Sequence, residues 1–378
     1  MRIDSQTVEL FCGIGGFRIG CDELGIETIW SNEIDKLASK VYVQNFGSKN
    51  HINDDINKVY EDIPDHDLLT AGFPCQPFSS AGKKLGINDT RGTLFESINQ
   101  ILKKKQPRFF VLENVKRLLS MENGRHFAVI LKTLSQLDYI IEWRILDAVN
   151  FGLPQSRERI VITGRKTNAN FSYLCNKEDL LDLRPNLISN ITNNKLWQNI
   201  EEHTKQFFPW GIAKNGKFFH AKVKTFSSIK SRKRLKEILE KNPDESFYFT
   251  SDTLKRIENS SLVNKFVNGV QILYNQKGGA RMGYTIFGSE GIAPTLTCTT
   301  SRHYERYKIG NSYRRLTNVE YARIQGFPDH HCSAASIYRQ YSLYGNAVPP
   351  QLAKWAINQI ISQNGVNLEE ITKQLSLL

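Results

Sequence analysis

The first 165 residues alternate short runs of β-branched and aromatic residues with longer amphipathic stretches. The short runs predict strands at 7–11, 27–31, 67–71, 108–113, 140–146 and 159–163. The amphipathic stretches repeat apolar residues at helical spacing and predict helices that include 34–45, 94–105 and 124–137. Parallel strands need long crossovers, which are usually helical, so this alternation indicates a sheet covered on both faces. The sequence predicts a doubly wound, mostly parallel α/β domain.

The alternation of strand and helix patterns stops near residue 168. Polar stretches with scattered aromatic residues continue from there to about residue 302. We predict a second, smaller domain of irregular and β structure there. Helical patterns return at 319–324 and 350–362, and we expect them to pack back on the first domain. The predicted organisation is therefore 1–167, 168–302 and 303–378.

Charge is concentrated in the second region. Lys and Arg outnumber Asp and Glu by 50 to 38, and residues 201–310 carry +9 of the net +12. A basic region of this kind favours a polyanionic partner. Residues 230–236 (KSRKRLK) are either a phosphate contact or a solvated helix face.

Two simpler classes of protein are excluded by composition. No apolar run approaches the ~18 residues of a membrane span, and residues 1–10 lack a signal-peptide core, so we expect a soluble intracellular protein. The six cysteines stand far apart, without metal-ligand spacing, which argues against a disulfide framework or a structural zinc site.

A glycine-rich loop, FCGIGGF at 11–17, follows the first predicted strand and precedes a helical pattern. Glycines there allow a tight turn and close approach of the backbone to a ligand. Arg18 occupies the position of the third glycine of the dinucleotide fingerprint, so a nucleoside ligand is favoured over NAD. Glu33 lies near the end of the second strand and is placed for ribose hydroxyls, while Asp55 is placed for an adenine amino group. Either acid alone would more often be a helix cap or a solvated loop acid.

Cys75 lies between Pro74 and Pro77, directly after the strand predicted at 67–71. A lone cysteine is usually a small buried apolar residue. The flanking prolines fix its backbone at the carboxyl edge of the sheet, where open α/β folds bind ligands. Because a thiolate is a strong nucleophile, Cys75 is the best candidate for covalent catalysis.

Three charged residues complete the set. Glu113 ends the strand predicted at 108–113, either as a helix cap or as a desolvated acid with a raised pKa that donates a proton. Arg157 and Arg159 are two residues apart, so strand alternation places both on one face, able to fork onto a carbonyl oxygen or a phosphate. An exposed ion-pair ladder is the alternative.

Together these motifs resemble the carbon-5 cytosine DNA methyltransferases of bacterial restriction-modification systems. The resemblance covers roughly 1–165 and 311–362 and rests on an ordered set: FxGxGGF at 11–17, SNE at 31–33, DDI at 54–56, GFPCQP at 72–77, DTRGTLF at 89–95, ENV at 113–115, QxRxR at 155–159, RLT at 315–317 with QGFPD at 325–329, and GNAVPP at 345–350.

The resemblance implies an S-adenosylmethionine-dependent methyltransferase fold with a target-recognition domain at 168–302, where Thr295 and Leu296 match a short Thr-Leu signature. It implies a cofactor site formed by Phe11, Gly13, Gly15, Glu33, Ile34, Asp55, Ile56, Pro74, Leu94 and Asn346. Two positions depart from the family. Ile34 stands where relatives often have an aromatic residue, and Asp54 stands where they commonly have glycine, so either Asp54 or Asp55 is the adenine partner.

The implied reaction needs no metal. Cys75 adds to carbon 6 of a cytosine flipped out of duplex DNA, Glu113 protonates or hydrogen-bonds ring nitrogen 3, and Arg159, with Arg157, holds the base carbonyl or a phosphate. Carbon 5 then takes the methyl group, and S-adenosylhomocysteine is released. The segment 79–91 resembles a mobile lid, and an ordinary surface loop is the alternative.

The resemblance also implies a monomeric cytoplasmic enzyme that acts on double-stranded DNA, away from membranes, and protects it from a cognate restriction endonuclease. Other functions remain open. The same scaffold serves RNA cytosine methyltransferases, and a DNA-binding regulator that keeps the fold without catalysis is a third reading, which the intact Cys75, Glu113 and Arg159 oppose. A nicotinamide dehydrogenase is a distant fourth.

Overall fold

The computed structural model describes residues 5–74, 94–166, 172–173, 193–223, 232–258, 261–275, 285–297, 306–361 and 366–367. Its strands are β1 (Gln6–Leu10), β2 (Glu27–Asn32), β3 (His51–Ile52), β4 (Leu68–Gly72), β5 (Phe109–Val115), β6 (Tyr139–Asp147), β7 (Glu158–Lys166), β8 (Ser172–Tyr173), β9 (Gln198–Asn199), β10 (Trp210–Lys214), β11 (Lys217–Ala221), β12 (Ser261–Val267), β13 (Val270–Asn275), β14 (Thr285–Gly288), β15 (Arg306–Ile309), β16 (Ser312–Arg314) and β17 (Val366–Asn367). Its α-helices are α1 (Gly16–Asp22), α2 (Lys36–Phe46), α3 (Ile56–Val59), α4 (Leu94–Lys105), α5 (Arg125–Ser135), α6 (Ser251–Glu258), α7 (Asn318–Gln325), α8 (Ile337–Asn346) and α9 (Pro350–Ile361).

The larger sheet has the strand order β3-β2-β1-β4-β5-β7-β6-β10-β11-β9. The α/β fold class is confirmed, and each strand predicted in the first region overlaps an observed strand. The sheet is less parallel than predicted, because parallel pairing stops at β5. Strands β6 and β7 are joined by residues 148–157, which hold only a short 3₁₀ turn at Ala148–Phe151. Without a crossover helix the two strands form an antiparallel pair.

The sheet continues into the region predicted as the second domain. Strand β10 pairs with β6, and β11 and β9 follow it at the edge of the larger sheet. A smaller sheet, β12-β13-β14-β15-β16, spans residues on both sides of position 302. Hydrogen bonding therefore links all three segments that the sequence separated.

The last long helix packs against the first one, as expected for the C-terminal segment. Leu352, Ala353 and Ile357 of α9 are buried with Phe17 and Cys21 of α1. Gly20 permits this approach, since a Cβ on it would lie 2.8 Å from the backbone nitrogen of Lys354. No helix in the described ranges has the length and apolarity that a bilayer crossing requires.

Candidate active site

A cleft of about 530 Å³ opens at the carboxyl edge of β1, β2, β4 and β5, where open α/β sheets bind ligands. Its volume lies in the range of small-molecule sites. Its walls bring together most of the residues that the sequence pointed to: Phe11, Gly13, Glu33, Ile34, Pro74, Leu94, Glu113, Arg157, Arg159 and Asn346.

Three of the predicted cofactor residues are not among the described residues that line this cleft. Gly15 precedes α1 with φ +89°, and a Cβ there would lie 2.2 Å from the ring of Phe46. Asp55 caps α3, where its Oδ1 accepts the N–H of Asn57. Ile56 is 2% exposed in the hydrophobic core. The helix-cap alternative thus describes what Asp55 does in this structure.

The glycine loop and Glu33 form one end of the cleft. The backbone N–H of Gly13 donates to Oε2 of Glu33 and that of Asp35 donates to Oε1, both at 2.8 Å. Each carboxylate oxygen has a second lone pair, so a fixed acceptor pair remains for ligand hydroxyls. Burial raises the pKa of Glu33. Ile34 beside it is 61% exposed and offers the cleft an apolar surface.

Glu113 and Arg159 form the other end. They meet because β7 runs antiparallel to β5, which places the start of β7 beside the carboxyl end of β5. Nε of Arg159 lies 3.0 Å from Oε1 of Glu113, and both side chains are nearly buried. Burial raises the pKa of Glu113, and the neighbouring Arg159 and Arg157 oppose that rise. The expected upward shift is confirmed, and the carboxyl holds its proton to a higher pH than an exposed glutamate.

The chain that leads to Cys75 is fixed at this end of the cleft. The side-chain amide of Asn114 donates to the carbonyl of Phe73 at 3.0 Å, which ties the ends of β4 and β5 together. Pro74, the next residue, lines the cleft. Cys75 and the predicted lid at 79–91 lie outside the described residues, so the nucleophile remains a prediction.

Arg157 lines the cleft beside Arg159, but its guanidinium donates to backbone carbonyls of the protein. Its Nη1 donates to the carbonyl of Leu296 at 2.8 Å, and its Nη2 donates to the carbonyls of Gly345 and Ala347 at 2.9 and 3.0 Å. These acceptors lie 139 to 190 positions away along the chain, so the spacing of the two arginines could not reveal them. In this structure the fork of Arg157 binds backbone carbonyls, and its contact with a base or phosphate stays a prediction.

The comparison with known proteins agrees with this geometry. Residues 5–362 match the family described as C-5 cytosine-specific DNA methylase. The chain belongs to this family. It is 38% identical over 326 residues to the type II methyltransferase M.NgoBI of Neisseria gonorrhoeae, covering 86% of this chain and 83% of that protein. It is 34% identical over 376 residues to M.HaeII of Haemophilus aegyptius, covering 99% and 98%.

Among solved structures, the S. pombe Dnmt2 methyltransferase shares the fold with a TM-score of 0.63 at 17% identity, over 94% of this chain and 98% of that one. The resemblance inferred from the motifs is confirmed. The protein is a DNA (cytosine-5-)-methyltransferase of the kind found in type II restriction-modification systems.

The sequence argument missed one acid of this methyltransferase. Glu9, in β1, lines the cleft and is 1% exposed. The hydroxyl of Tyr42 donates to its Oε2 at 3.2 Å, and burial raises its pKa to about 8. A signal existed, since Glu9 is the one charged residue in the run TVELF before the glycine loop. Buried acids in such runs are kept neutral or paired.

We expect Glu9→Gln to change how stability depends on pH. The pKa of Glu9 rises on folding from an ordinary value of 4.5 to about 8, so its favourable contribution is complete below pH 4.5 and is lost as pH rises toward 8. A glutamine does not ionise, so the variant should gain on the order of 3 kcal/mol relative to wild type between pH 5 and pH 8. Urea unfolding at both pH values measures this difference. The exposed Glu61→Gln is the control, and a pH-independent difference for Glu9→Gln contradicts the assignment.

Proposed function

We propose that this enzyme transfers a methyl group from S-adenosylmethionine to carbon 5 of a cytosine flipped out of a specific duplex DNA sequence, with Cys75 as the covalent nucleophile. One observation carries the proposal. A single cleft has a carboxylate held by the glycine loop, that of Glu33, at one end, and the buried pair of Glu113 and Arg159 at the other. The first suits a nucleoside, and the second suits the edge of a base.

The residues of the cleft fit S-adenosylmethionine. Phe11, Ile34, Pro74 and Leu94 supply apolar walls, and the oriented carboxylate of Glu33 supplies acceptors for ribose hydroxyls. When bound, the cofactor supplies an electrophilic methyl group on a sulfonium sulfur. Placement of that methyl in the same cleft as Glu113 would let the two substrates meet without a solvent layer between them.

At the other end the protein must make carbon 5 of cytosine nucleophilic. Addition of the Cys75 thiolate to carbon 6 breaks the 5,6 double bond, while Glu113 delivers a proton or a hydrogen bond to ring nitrogen 3. Carbon 5 then takes the methyl group, with S-adenosylhomocysteine as the leaving group. Loss of the carbon 5 proton to a base, departure of the thiolate and return of the nitrogen 3 proton to Glu113 restore the aromatic ring. Arg159 is paired with Glu113, and we assign it to the base carbonyl.

Base flipping is part of the proposal because Glu113, which lines the cleft, is only 8% exposed. A cytosine stacked inside a duplex cannot place its ring at such a residue. Extrusion costs about a few kcal/mol, which contacts with the surrounding DNA must offset.

The basic region supports duplex DNA as the partner, although only part of the run at 230–236 is available for it. Arg234 and Lys236 form exposed ion pairs with Glu290, which favours the solvated alternative for these two. Arg232 and Lys233 are exposed, and we assign them to phosphate contacts. Methylation of a specific site would protect the DNA from a cognate restriction endonuclease, the role that the type II relatives suggest.

Transfer of labelled methyl groups tests the proposal directly. The purified enzyme with labelled S-adenosylmethionine should label duplex DNA and leave tRNA unlabelled. Bisulfite sequencing of a plasmid from expressing cells should show protected cytosines in one sequence context. Labelling of tRNA alone would refute the proposal in favour of the RNA-modifying alternative.

Glu33→Gln should raise the KM for S-adenosylmethionine roughly 10- to 100-fold, because the amide leaves one acceptor where two backbone N–H groups and the ribose need two. We expect kcat at saturation to fall much less, since Glu33 is remote from the reacting atoms. Steady-state kinetics and calorimetric titration with S-adenosylhomocysteine measure both quantities. Glu61→Gln, on the surface, is the matched control. An unchanged KM would show that Glu33 does not bind the nucleoside.

A further inference from the structure

Three distant segments of the chain meet around the guanidinium of Arg157, which is 1% exposed. One is the segment before β7, which carries Arg157 itself. Another is the stretch after β14 of the smaller sheet, whose Leu296 carbonyl accepts from Nη1. The last is the C-terminal end of α8, where the carbonyls of Gly345 and of Ala347, the residue after the helix, accept from Nη2.

The stretch after β14 is joined to the segment before β7 by further hydrogen bonds. The N–H of Ala293 donates to the carbonyl of Pro154 at 2.7 Å, and that of Ser156 donates to the carbonyl of Ala293 at 3.0 Å. The hydroxyl of Thr295 donates to the carbonyl of Ser156. The side chain of Leu296 is fully buried in the core cluster that also contains Ile14 of the glycine loop.

The C-terminal end of α8 forms a wall of the cofactor cleft. Gly345, Asn346 and Ala347 all line it. The carbonyl of Val348, next in the chain, lies so close to Gly16 that a Cβ on this glycine would fall 2.0 Å from it. Arg157 therefore fixes this wall, and with it the packing against the glycine loop, to the strand system of the smaller sheet.

We propose that Arg157 is a positioning residue that couples the smaller sheet to the cofactor cleft, so that duplex DNA and cofactor strengthen each other's binding through this guanidinium. This inference rests on the proposed function. Each ligand orders one side of a hydrogen-bonded junction. The ligand that binds second therefore loses less conformational entropy. Coupling of this kind is reciprocal between the two binding sites.

The test is Arg157→Lys in the full-length enzyme, since lysine keeps the charge but cannot reach all three carbonyls with a planar fork. S-adenosylhomocysteine affinity is measured by calorimetry with and without duplex DNA that contains the methylated sequence. We expect DNA to tighten binding to wild type roughly tenfold, and to the variant less than about threefold. kcat with both substrates saturating should change less than about fivefold, because Arg157 acts through other residues.

Two outcomes overturn the inference. One is a DNA effect on cofactor affinity that is unchanged in the variant. The other is a collapse of kcat with both affinities normal, which would place Arg157 on the base. Absence of cofactor binding to wild type would instead refute the proposed function, so the two failures are distinguishable.

Arg314→Lys is the matched control, since Arg314 is 2% exposed and forks onto Glu320 at 2.6 and 2.8 Å, away from the cleft. It should lower thermal stability and preserve the effect of DNA on cofactor affinity. Thr295→Val removes the hydroxyl bond to Ser156 at the same junction and is a milder second variant should Arg157→Lys fail to fold. We expect it to weaken the DNA effect in the same direction, and no weakening would count against the junction.

Discussion

Cys75→Ser is expected to lower methyl transfer at least about 10⁴-fold, below detection in most assays. A serine hydroxyl stays protonated at neutral pH, whereas a cysteine thiol ionises readily and its thiolate is a far better nucleophile. Transfer of labelled methyl groups to duplex DNA measures the loss. Duplex DNA containing 5-fluorocytosine should trap wild type as a covalent complex, because fluorine at carbon 5 cannot leave as a proton does. The variant should form no complex yet still bind duplex DNA.

The three cysteines that the structure describes, Cys12, Cys21 and Cys332, are poorly placed to act as the nucleophile. Cys12 lines the cleft, but burial raises its pKa far above the ordinary value, and Glu9 and Glu33 raise it further. Cys21 and Cys332 are fully buried in the core. Cys21→Ala should therefore keep the covalent trap and serves as the control. Normal turnover in Cys75→Ser, or a trapped complex with it, would remove Cys75 as the nucleophile.

The cleft could be predicted from the sequence because its main residues lie beside strands that short stretches of sequence reveal. Glu33 and Glu113 each lie at or near the carboxyl end of a strand, and the strands were visible as short apolar runs. The carboxyl ends of parallel strands share one edge, so strand order alone brings such residues together. Pairing register was not needed for that step.

Two of the features that sequence analysis missed depend on contacts between distant segments. Strands β10 and β11 are short and lie in an irregular stretch, and only their pairing with β6 makes them part of the larger sheet. The fork of Arg157 is likewise determined by carbonyls that the chain delivers from far away. Glu9 was overlooked for a different reason, because a strand pattern assigns its residues to faces and does not show which face a cleft will open on.

Glu113→Gln is expected to lower kcat roughly 10²- to 10³-fold. An amide can donate a hydrogen bond to ring nitrogen 3 but cannot transfer a proton to it, and it removes the charge that holds Arg159 at 3.0 Å. The KM for S-adenosylmethionine should change little, because Glu33 and the glycine loop form the opposite end of the cleft. Single-turnover methyl transfer separates the chemical step from product release.

The pH profile distinguishes a proton donor from an acid that only shapes the site. Burial raises the pKa of Glu113, so its protonated fraction persists above the usual range and declines as pH rises through that pKa. Wild-type kcat should fall on this alkaline limb, whereas Glu113→Gln should keep only the rise that follows ionisation of Cys75. Glu158→Gln, an exposed neighbour paired with Lys116, is the control and should stay within about twofold of wild type. An alkaline limb that persists in Glu113→Gln would assign the proton to another group.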